Sequence, residues 1–271
     1  MSFPRIFRLV PVTLAATVAV AGCGSASTTA TSAKPTPSAP AAPVPSATSA
    51  PPPAGPSPSP SSSAPASPTH TATTGTLARG GSGPAVLALQ QRLTALGYWV
   101  GTPDGEFGGT TQQGVYALQK AAGLPRTGKV NAATQRALDA GTRPKARSTS
   151  GRVIEVNLAR NLLLFVTDGH VDHILNTSTG GGYVYDDEGV RAVAITPKGH
   201  FRTYRVIDGP RRSSLGLLIR PRYFTGGFAI HGDGSVPPYP ASHGCVRVSN
   251  AAIDWIWSAN LDPIGTPVWI Y

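Results

Sequence analysis

Two kinds of hydrophobic spacing divide the chain. Between Leu77 and Thr142 apolar residues recur every three to four positions, the period of helices with one buried face. Val86, Leu89, Leu93 and Leu96 form one such stripe; Ser82 or Gly83 can cap it, Pro84 suits its first turn, and Gly97 can end it. The spacing predicts a second helix over 110–122, with Val115 and Leu118 inward, and a third over 132–140, with Leu138 inward. The stretches DGEFGGTTQQGV (104–115) and TGKVNAATQRAL (127–138) echo each other 23 residues apart, matching Gly105 to Gly128, Phe107 to Val130, Thr111 to Thr134 and Val115 to Leu138. Each copy reads as a glycine turn, an apolar anchor and a helix start. The prediction is a small three-helix bundle over 77–142 with little catalytic equipment: no Cys or His, and only Asp104, Glu106 and Asp139 as acids.

After a basic hinge at 143–150 the period changes to two. Val153, Glu155 and Asn157 alternate with Ile154, Val156 and Leu158, a turn at 159–161 leads into a second apolar run, and Asp168-Gly169 marks the next turn. HVDHILNTST, GHFRTYRVID, GGFAIHG and the terminal GTPVWIY read as further strands. Only NAAIDWIWSANL (250–261) reads as helix, capped by Asn250, with Ile253, Ile256, Trp257 and Leu261 inward. Residues 151–271 therefore form a mostly-β domain, large enough for one core.

Residues 24–76 are almost entirely Ser, Thr, Ala, Pro and Gly. Such a segment cannot bury enough apolar surface to offset the entropy of ordering. It is expected to be a disordered, partly polyproline-II linker running to residue 76; a stalk carrying O-linked sugars is equally compatible with the composition. The N-terminus differs: Arg5 and Arg8 precede an apolar run from Leu9 to Ala21, interrupted by Pro11. That run is shorter than the ~20 residues of a membrane span and suits a secretory signal. Its end, Val20-Ala21-Gly22-Cys23, resembles a bacterial lipobox, which implies a signal peptide over 1–22 and a lipid on Cys23. The alternative is an ordinary signal or short anchor with an incidental cysteine.

The formal net charge of +10 invites a nucleic-acid reading. Residues 151–271, however, hold eleven Lys+Arg against ten Asp+Glu, and no basic stripe with interleaved aromatics is present. Anionic wall polymers, membrane lipids or solubility alone explain the excess instead.

Cys23 and Cys245 are the only two cysteines. A lipidated Cys23 cannot pair with Cys245, which is then a free thiol in an oxidising compartment, a liability unless buried or useful. It follows Ser242-His243-Gly244 and a proline-rich loop. Packing does not need that setting. A nucleophile does, because consecutive amides can converge on one spot and an imidazole can take the thiol proton. His231 and His243 are both available; with Cys245 they could alternatively make three zinc ligands, at no strong zinc spacing.

Two resemblances sharpen this. LQQRLTALGYW, DGEFGGTTQQGVYALQKAAGLP and TGKVNAATQRAL are similar to the peptidoglycan-binding domain found beside wall enzymes, departing from it at Leu118, where an aromatic is usual. Phe107 is expected in the core; Tyr98 and Trp99 are open between the core and a sugar- or peptide-contacting face. TPKGHFRTYRVIDG, FTGGFAIHG and SHGCVRV resemble the L,D-transpeptidase (YkuD-type) catalytic domain, whose signature falls here on His231-Gly232 and Ser242-His243-Gly244-Cys245-Val246-Arg247. One departure is the short proline-rich loop between His231 and Ser242.

The resemblance implies that Cys245 is the nucleophile and His231 the general base, oriented by the Gly232 carbonyl. The backbone N–H groups of His243, Gly244 and Cys245 would form the oxyanion hole. Ser242 and His243 would hold the loop, and Arg247 could meet a substrate carboxylate. Tyr223, Tyr239, Arg211 and Arg212 are further cleft candidates. The implied reaction is acyl transfer on peptidoglycan tetrapeptide stems through a thioester, giving 3→3 cross-links without metal or organic cofactor and with susceptibility to carbapenem-type β-lactams. Water or a free D-amino acid could instead resolve the thioester, making a carboxypeptidase or exchange enzyme; a non-catalytic wall-binding lipoprotein is the remaining reading. The expected partners are donor and acceptor stems and a membrane reached through Cys23, facing the wall from the outer side of the cytoplasmic membrane, with no nucleic acid and no obligate protein partner.

Overall fold

The computed structural model describes residues 75–271. The expected signal, Cys23 and nearly all of the linker lie outside them. Among the described residues no helix is long and apolar enough to cross a membrane.

Three helices come first: α1 (Pro84–Ala95), α2 (Gly109–Ala121) and α3 (Ala132–Asp139). α1 starts after Gly83 without a side-chain cap, whereas the Asn131 side chain caps α3 by accepting from the Thr134 N–H at 2.9 Å. The internal echo has a physical meaning. Two buried glutamines stitch the two copies: Gln90 accepts from Gly105 N and donates to Thr111 Oγ1, and Gln119 accepts from Gly128 N and donates to Thr134 Oγ1. Phe107 and Val130, the matched anchors, are both core residues.

The remainder is mostly β. β1 (Arg152–Asn157), β2 (Leu162–Thr167) and β3 (His170–Asn176) form an antiparallel run; β4 (Val184–Asp187) and β5 (Val190–Val193) make a separate hairpin. β6 (Gly199–Arg202), β7 (Arg205–Val206), β8 (Pro210–Ser213), β9 (Gly216–Thr225), β10 (Phe228–Asp233) and β11 (Val246–Ser249) follow, then α4 (Asn250–Ser258) and β12 (Pro267–Ile270). One five-stranded sheet has the order β3-β2-β1-β12-β6. A second runs β11-β10-β9-β7, with β8 also paired to β9. β1–β12 and β10–β11 are parallel pairs. α4 packs on β10 and is capped by Ser249, whose Oγ accepts from Ala252 N, rather than by the expected Asn250. Ile253 and Ile256 are buried as expected, while Trp257 is half-buried and faces the Arg220 and Arg222 guanidiniums.

β2 explains its own uniform apolar run. Leu162, Leu164 and Val166 join the helical core, while Leu163 and Phe165, alternating with them, join the core between the two sheets. A strand buried on both faces loses the polar alternation of a half-exposed one. The helices are thus docked onto the sheet. Trp99 N donates to Ile174 O (3.0 Å) and Ile174 N to Gly97 O (2.8 Å), extending the sheet edge into the helical module. Tyr98 lies in the core with its hydroxyl on Thr142 O, and Trp99 packs against Trp255 of α4 at 5.6 Å between ring centroids.

Residues 143–150, expected as a basic hinge, make fixed contacts. Glu155, expected on a polar face, is wholly buried and accepts from Arg147 N, Ser148 N, Ser148 Oγ and Tyr271 OH. A buried carboxylate is tolerable when its lone pairs are filled in this way.

Candidate active site

β10 and β11 place the two key side chains. Their parallel register sets His231 opposite Arg247, so Cys245 lies just before β11, at the head of the strand beside His231. Both line one cleft of about 890 Å³, together with Tyr223, Arg205, Arg211, His243 and Arg247. Cys245 is a free, partly buried thiol.

The His231 ring is buried, and its Nδ1 lies 2.9 Å from the Gly232 carbonyl. A carbonyl can only accept, so Nδ1 carries the proton and Nε2 keeps its lone pair. Gly232 has no room for a side chain: a Cβ there would lie 2.5 Å from Ile253 Cγ2 and 2.9 Å from Asn250 Oδ1. The carbonyl that sets the tautomer is therefore locked by the seating of α4 on β10.

Burial pulls the His231 imidazole below its ordinary pKa, opposed by the Gly232 hydrogen bond and by Asp233. Burial likewise pushes the Cys245 thiol up, opposed by the Ala229 amide and the Arg247 charge. Both shifts favour the neutral forms, a thiol and an uncharged imidazole, in the cleft that the two side chains share; Cys245 Sγ has Gly227 O as a polar neighbour at 3.9 Å.

Ser242 stitches the loop before the cysteine. Its buried hydroxyl donates to Cys245 O (2.6 Å) and accepts from Gly244 N (3.0 Å). The Gly244 N–H, expected as one of three oxyanion donors, is thereby engaged inside the loop. The N–H groups of His243 and Cys245 have no acceptor among the described residues. Gly244 has a φ of 137°, and a Cβ there would lie 2.4 Å from the Phe228 ring and 2.8 Å from Ile195 O. Glycine is needed there to pass its own protein neighbours.

His243 is turned to other partners. Its ring packs edge-on against Tyr185 (4.7 Å between centroids) and Tyr183 (5.4 Å) from the β4 region. Among the described residues no three His, Cys, Asp or Glu side chains converge to hold a metal ion, so the set His231, His243 and Cys245 is not gathered as zinc ligands.

Arg247 Nε lies 3.1 Å from Asp233 Oδ2, an ion pair by distance although the N–H is not aligned for a hydrogen bond. The guanidinium thus already has a carboxylate neighbour. Tyr223 sits under the Arg205 guanidinium, and burial raises its pKa while Arg205 and Arg211 lower it. Arg211 lines the cleft; Tyr239 and Arg212 do not.

Several contributors were not singled out from sequence. Thr196 Oγ1 donates to Gly244 O (2.7 Å) and accepts from Gly180 N (2.9 Å). Thr179 O accepts from both Ala241 N and Ser242 N at 2.9 Å. Arg205, Asp233 and Tyr185 also line the cleft. Small hydroxyl residues in polar stretches carry no periodic signal, and only the folded loop shows what they hold.

The comparisons agree with this geometry. The YkuD family, described as the L,D-transpeptidase catalytic domain, matches residues 151–270, and the peptidoglycan binding domain family matches residues 82–138. The crystal structure of the L,D-transpeptidase from Xylanimonas cellulosilytica is similar over 72% of this chain and 97% of its own, with 53% identity and a TM-score of 0.70. The N-acetylmuramoyl-L-alanine amidase CwlL of Bacillus licheniformis is 43% identical over 84 residues, 30% of this chain; the chain spans only 23% of that amidase's length. A peptidoglycan-binding module fused to a cysteine–histidine cleft of this sequence and shape makes the chain a member of the L,D-transpeptidase family.

Proposed function

We propose that the protein forms 3→3 peptidoglycan cross-links through a thioester on Cys245. The carrying observation is the register of β10 and β11, which sets a tautomer-fixed neutral imidazole beside the thiol in one cleft. His231 Nε2 takes the thiol proton as Sγ attacks the carbonyl of the third residue of a tetrapeptide stem. The N–H groups of His243 and Cys245 hold the oxyanion; losing one such donor typically costs ~3–4 kcal/mol of transition-state stabilisation. Collapse breaks the C–N bond, and the imidazolium returns its proton to the departing D-alanine amine. An amine on a neighbouring stem then loses a proton to His231, attacks the thioester and frees the thiol. Gly244 acts in this scheme as a hinge-free corner that Ser242 ties down, and His243 as loop support braced by the tyrosines.

In the same reading Cys23 carries a lipid that holds the enzyme at the outer face of the cytoplasmic membrane. The helical module binds the wall.

The test is the muropeptide product of purified protein with tetrapeptide donors, with and without an acceptor stem, read by mass spectrometry. The intact protein should give a 3→3 dimer, and Cys245→Ala none. Release of D-alanine and tripeptide alone would assign hydrolysis instead, and undiminished dimer from Cys245→Ala would end the proposal.

A further inference from the structure

The loop between β10 and the Ser242–Cys245 turn, from Gly234 to Ala241, contains Pro237, Pro238 and Pro240. Three of its residues have no N–H, which leaves it fewer amides with which to close itself. Its carbonyls are gripped from outside, and two of the grips come from the helical module. Gln113 Nε2 of α2 donates to Val236 O (3.1 Å), and Arg126 Nη1, just beyond α2, donates to Pro238 O (2.9 Å).

A second route runs beneath the loop. Lys120 of α2 is buried and points its Nζ at Asn161 O (2.9 Å), Thr177 O (2.9 Å) and Asn176 Oδ1. The next residues carry the contact onward. Ser178 Oγ donates to Tyr239 O (2.7 Å), and Thr179 O accepts from Ala241 and Ser242. Arg247 N donates to Ser178 O (2.9 Å), and Arg247 O accepts from Thr177 Oγ1 (2.7 Å). Asn176 closes the circuit by donating to both Gln113 Oε1 and Val236 O. The second route reaches Ala241, Ser242 and Arg247, on either side of His243 and Cys245, and the first holds Val236 and Pro238 of the loop that leads to them.

We infer that the helical module is a working part of the active site, in which Gln113, Lys120 and Arg126 are positioning residues that hold the 234–241 loop and, through it, the amides of the catalytic turn. Its role is then not confined to gripping the wall. This rests on the acyl-enzyme reading above. His231 lies in β10 and Cys245 just before β11, whereas Gln113 and Arg126 bond the loop at Val236 and Pro238, so loosening the loop should leave the thiol intact and misplace the amides.

Two reactions of Cys245 separate these effects. Alkylation by iodoacetamide needs the thiol and its base but no oxyanion donor. Acylation by a small soluble β-lactam needs the donors and bypasses wall binding. In a Gln113→Ala/Arg126→Ala protein, acylation should fall roughly 10- to 100-fold, the cost of a misplacement near 1 Å, while alkylation stays within about twofold. Arg126→Lys, which keeps one donor, should recover most of the acylation. Lys120→Met should act in the same direction; because it strips three buried acceptors of their donor, the milder variants decide the matter if it does not fold. Equal acylation in the variants and the intact protein overturns the inference, as does a parallel loss of both reactions. Alkylation without any acylation in the intact protein would instead overturn the acyl-enzyme reading.

Discussion

Ser242→Ala isolates how the catalytic turn is held. The hydroxyl is 1% exposed, donates to the Cys245 carbonyl at 2.6 Å and accepts from the Gly244 N–H at 3.0 Å. Removing it leaves an amide and a carbonyl in a buried corner, each at a cost of ~1–3 kcal/mol, or ~2–4 kcal/mol together after partial relaxation. For a folded body of this size 1 kcal/mol moves Tm by ~2–4 °C, so Tm should fall by ~4–16 °C. The rate effect has a separate origin. Without the tie, Gly244 N–H is free to turn and the amides on either side of it lose their fixed direction, which should slow acylation of Cys245 by about 100-fold. Calorimetry and the rate of mass increase with a soluble acyl donor, measured well below the lowered Tm, give the two numbers independently. Ser242→Thr keeps the hydroxyl and should restore most of both. A Ser242→Ala protein with unchanged Tm and unchanged acylation would refute the reasoning, and Thr behaving like Ala would show that volume, not the hydroxyl, matters.

Gly232→Ala should drive a methyl into Ile253 Cγ2 at 2.5 Å and shift α4 from β10, costing ~1–3 kcal/mol by overpacking. It also moves the carbonyl that sets the His231 tautomer, so the acylation rate should fall by more than the Tm change explains; a rate equal to the parent's would sink that link. The pH dependence has a definite sign. Burial raises the thiol and lowers the imidazole, so iodoacetamide labelling of Cys245 should keep rising above the ordinary thiol midpoint of ~8.5. Acylation, which needs only neutral His231, should persist below the ordinary imidazole midpoint of ~6.5. A labelling plateau already reached near pH 6 would mean a thiolate–imidazolium pair and contradict the site as described.

Periodicity alone located α1, α2 and α3 to within a residue or two, because each buries one face on a local bundle whose stripe is written at a spacing of three to four. β1, β2 and β10 were equally plain, being apolar runs bounded by turns. The hairpin β4–β5 and the pair β8–β9 were not. Tyr183, Val184, Val190 and Val193 are exposed, and β9 carries Pro221, Arg220, Arg222 and Tyr223 among its apolar residues, so burial left little periodic trace. Glu155 was misjudged for a related reason. Alternation set it against the apolar Ile154, Val156 and Leu158, but it is wholly buried, with its donors supplied by Arg147 and Ser148 from the preceding segment and by Tyr271 from far along the chain.

At the site the division is similar. Cys245 and His231 stood out because a free thiol and an imidazole beside glycines suit acyl transfer, and Gly232 and Ser242 stood out through the resemblance to the L,D-transpeptidase domain; the fold brings His231, Ser242 and Cys245 to one cleft, with Gly232 O on the His231 ring. The engagement of Gly244 N–H, the reason Gly244 must be glycine, the bracing of His243 by Tyr183 and Tyr185, and the hold of Thr196 on the Gly244 carbonyl could not be read there. Apart from the Ser242 tie to Gly244 N, two residues away, these are contacts between segments well separated in sequence, and a sequence records such contacts only through small polar residues that look like any loop. The same holds for the joining of the two modules. Composition separated a helical segment from a β segment, but it took the tertiary structure to bury Lys120 under the catalytic loop and Leu162, Leu164 and Val166 in the helical core. A local pattern reports which face of an element is buried; what covers that face is decided by packing the whole chain.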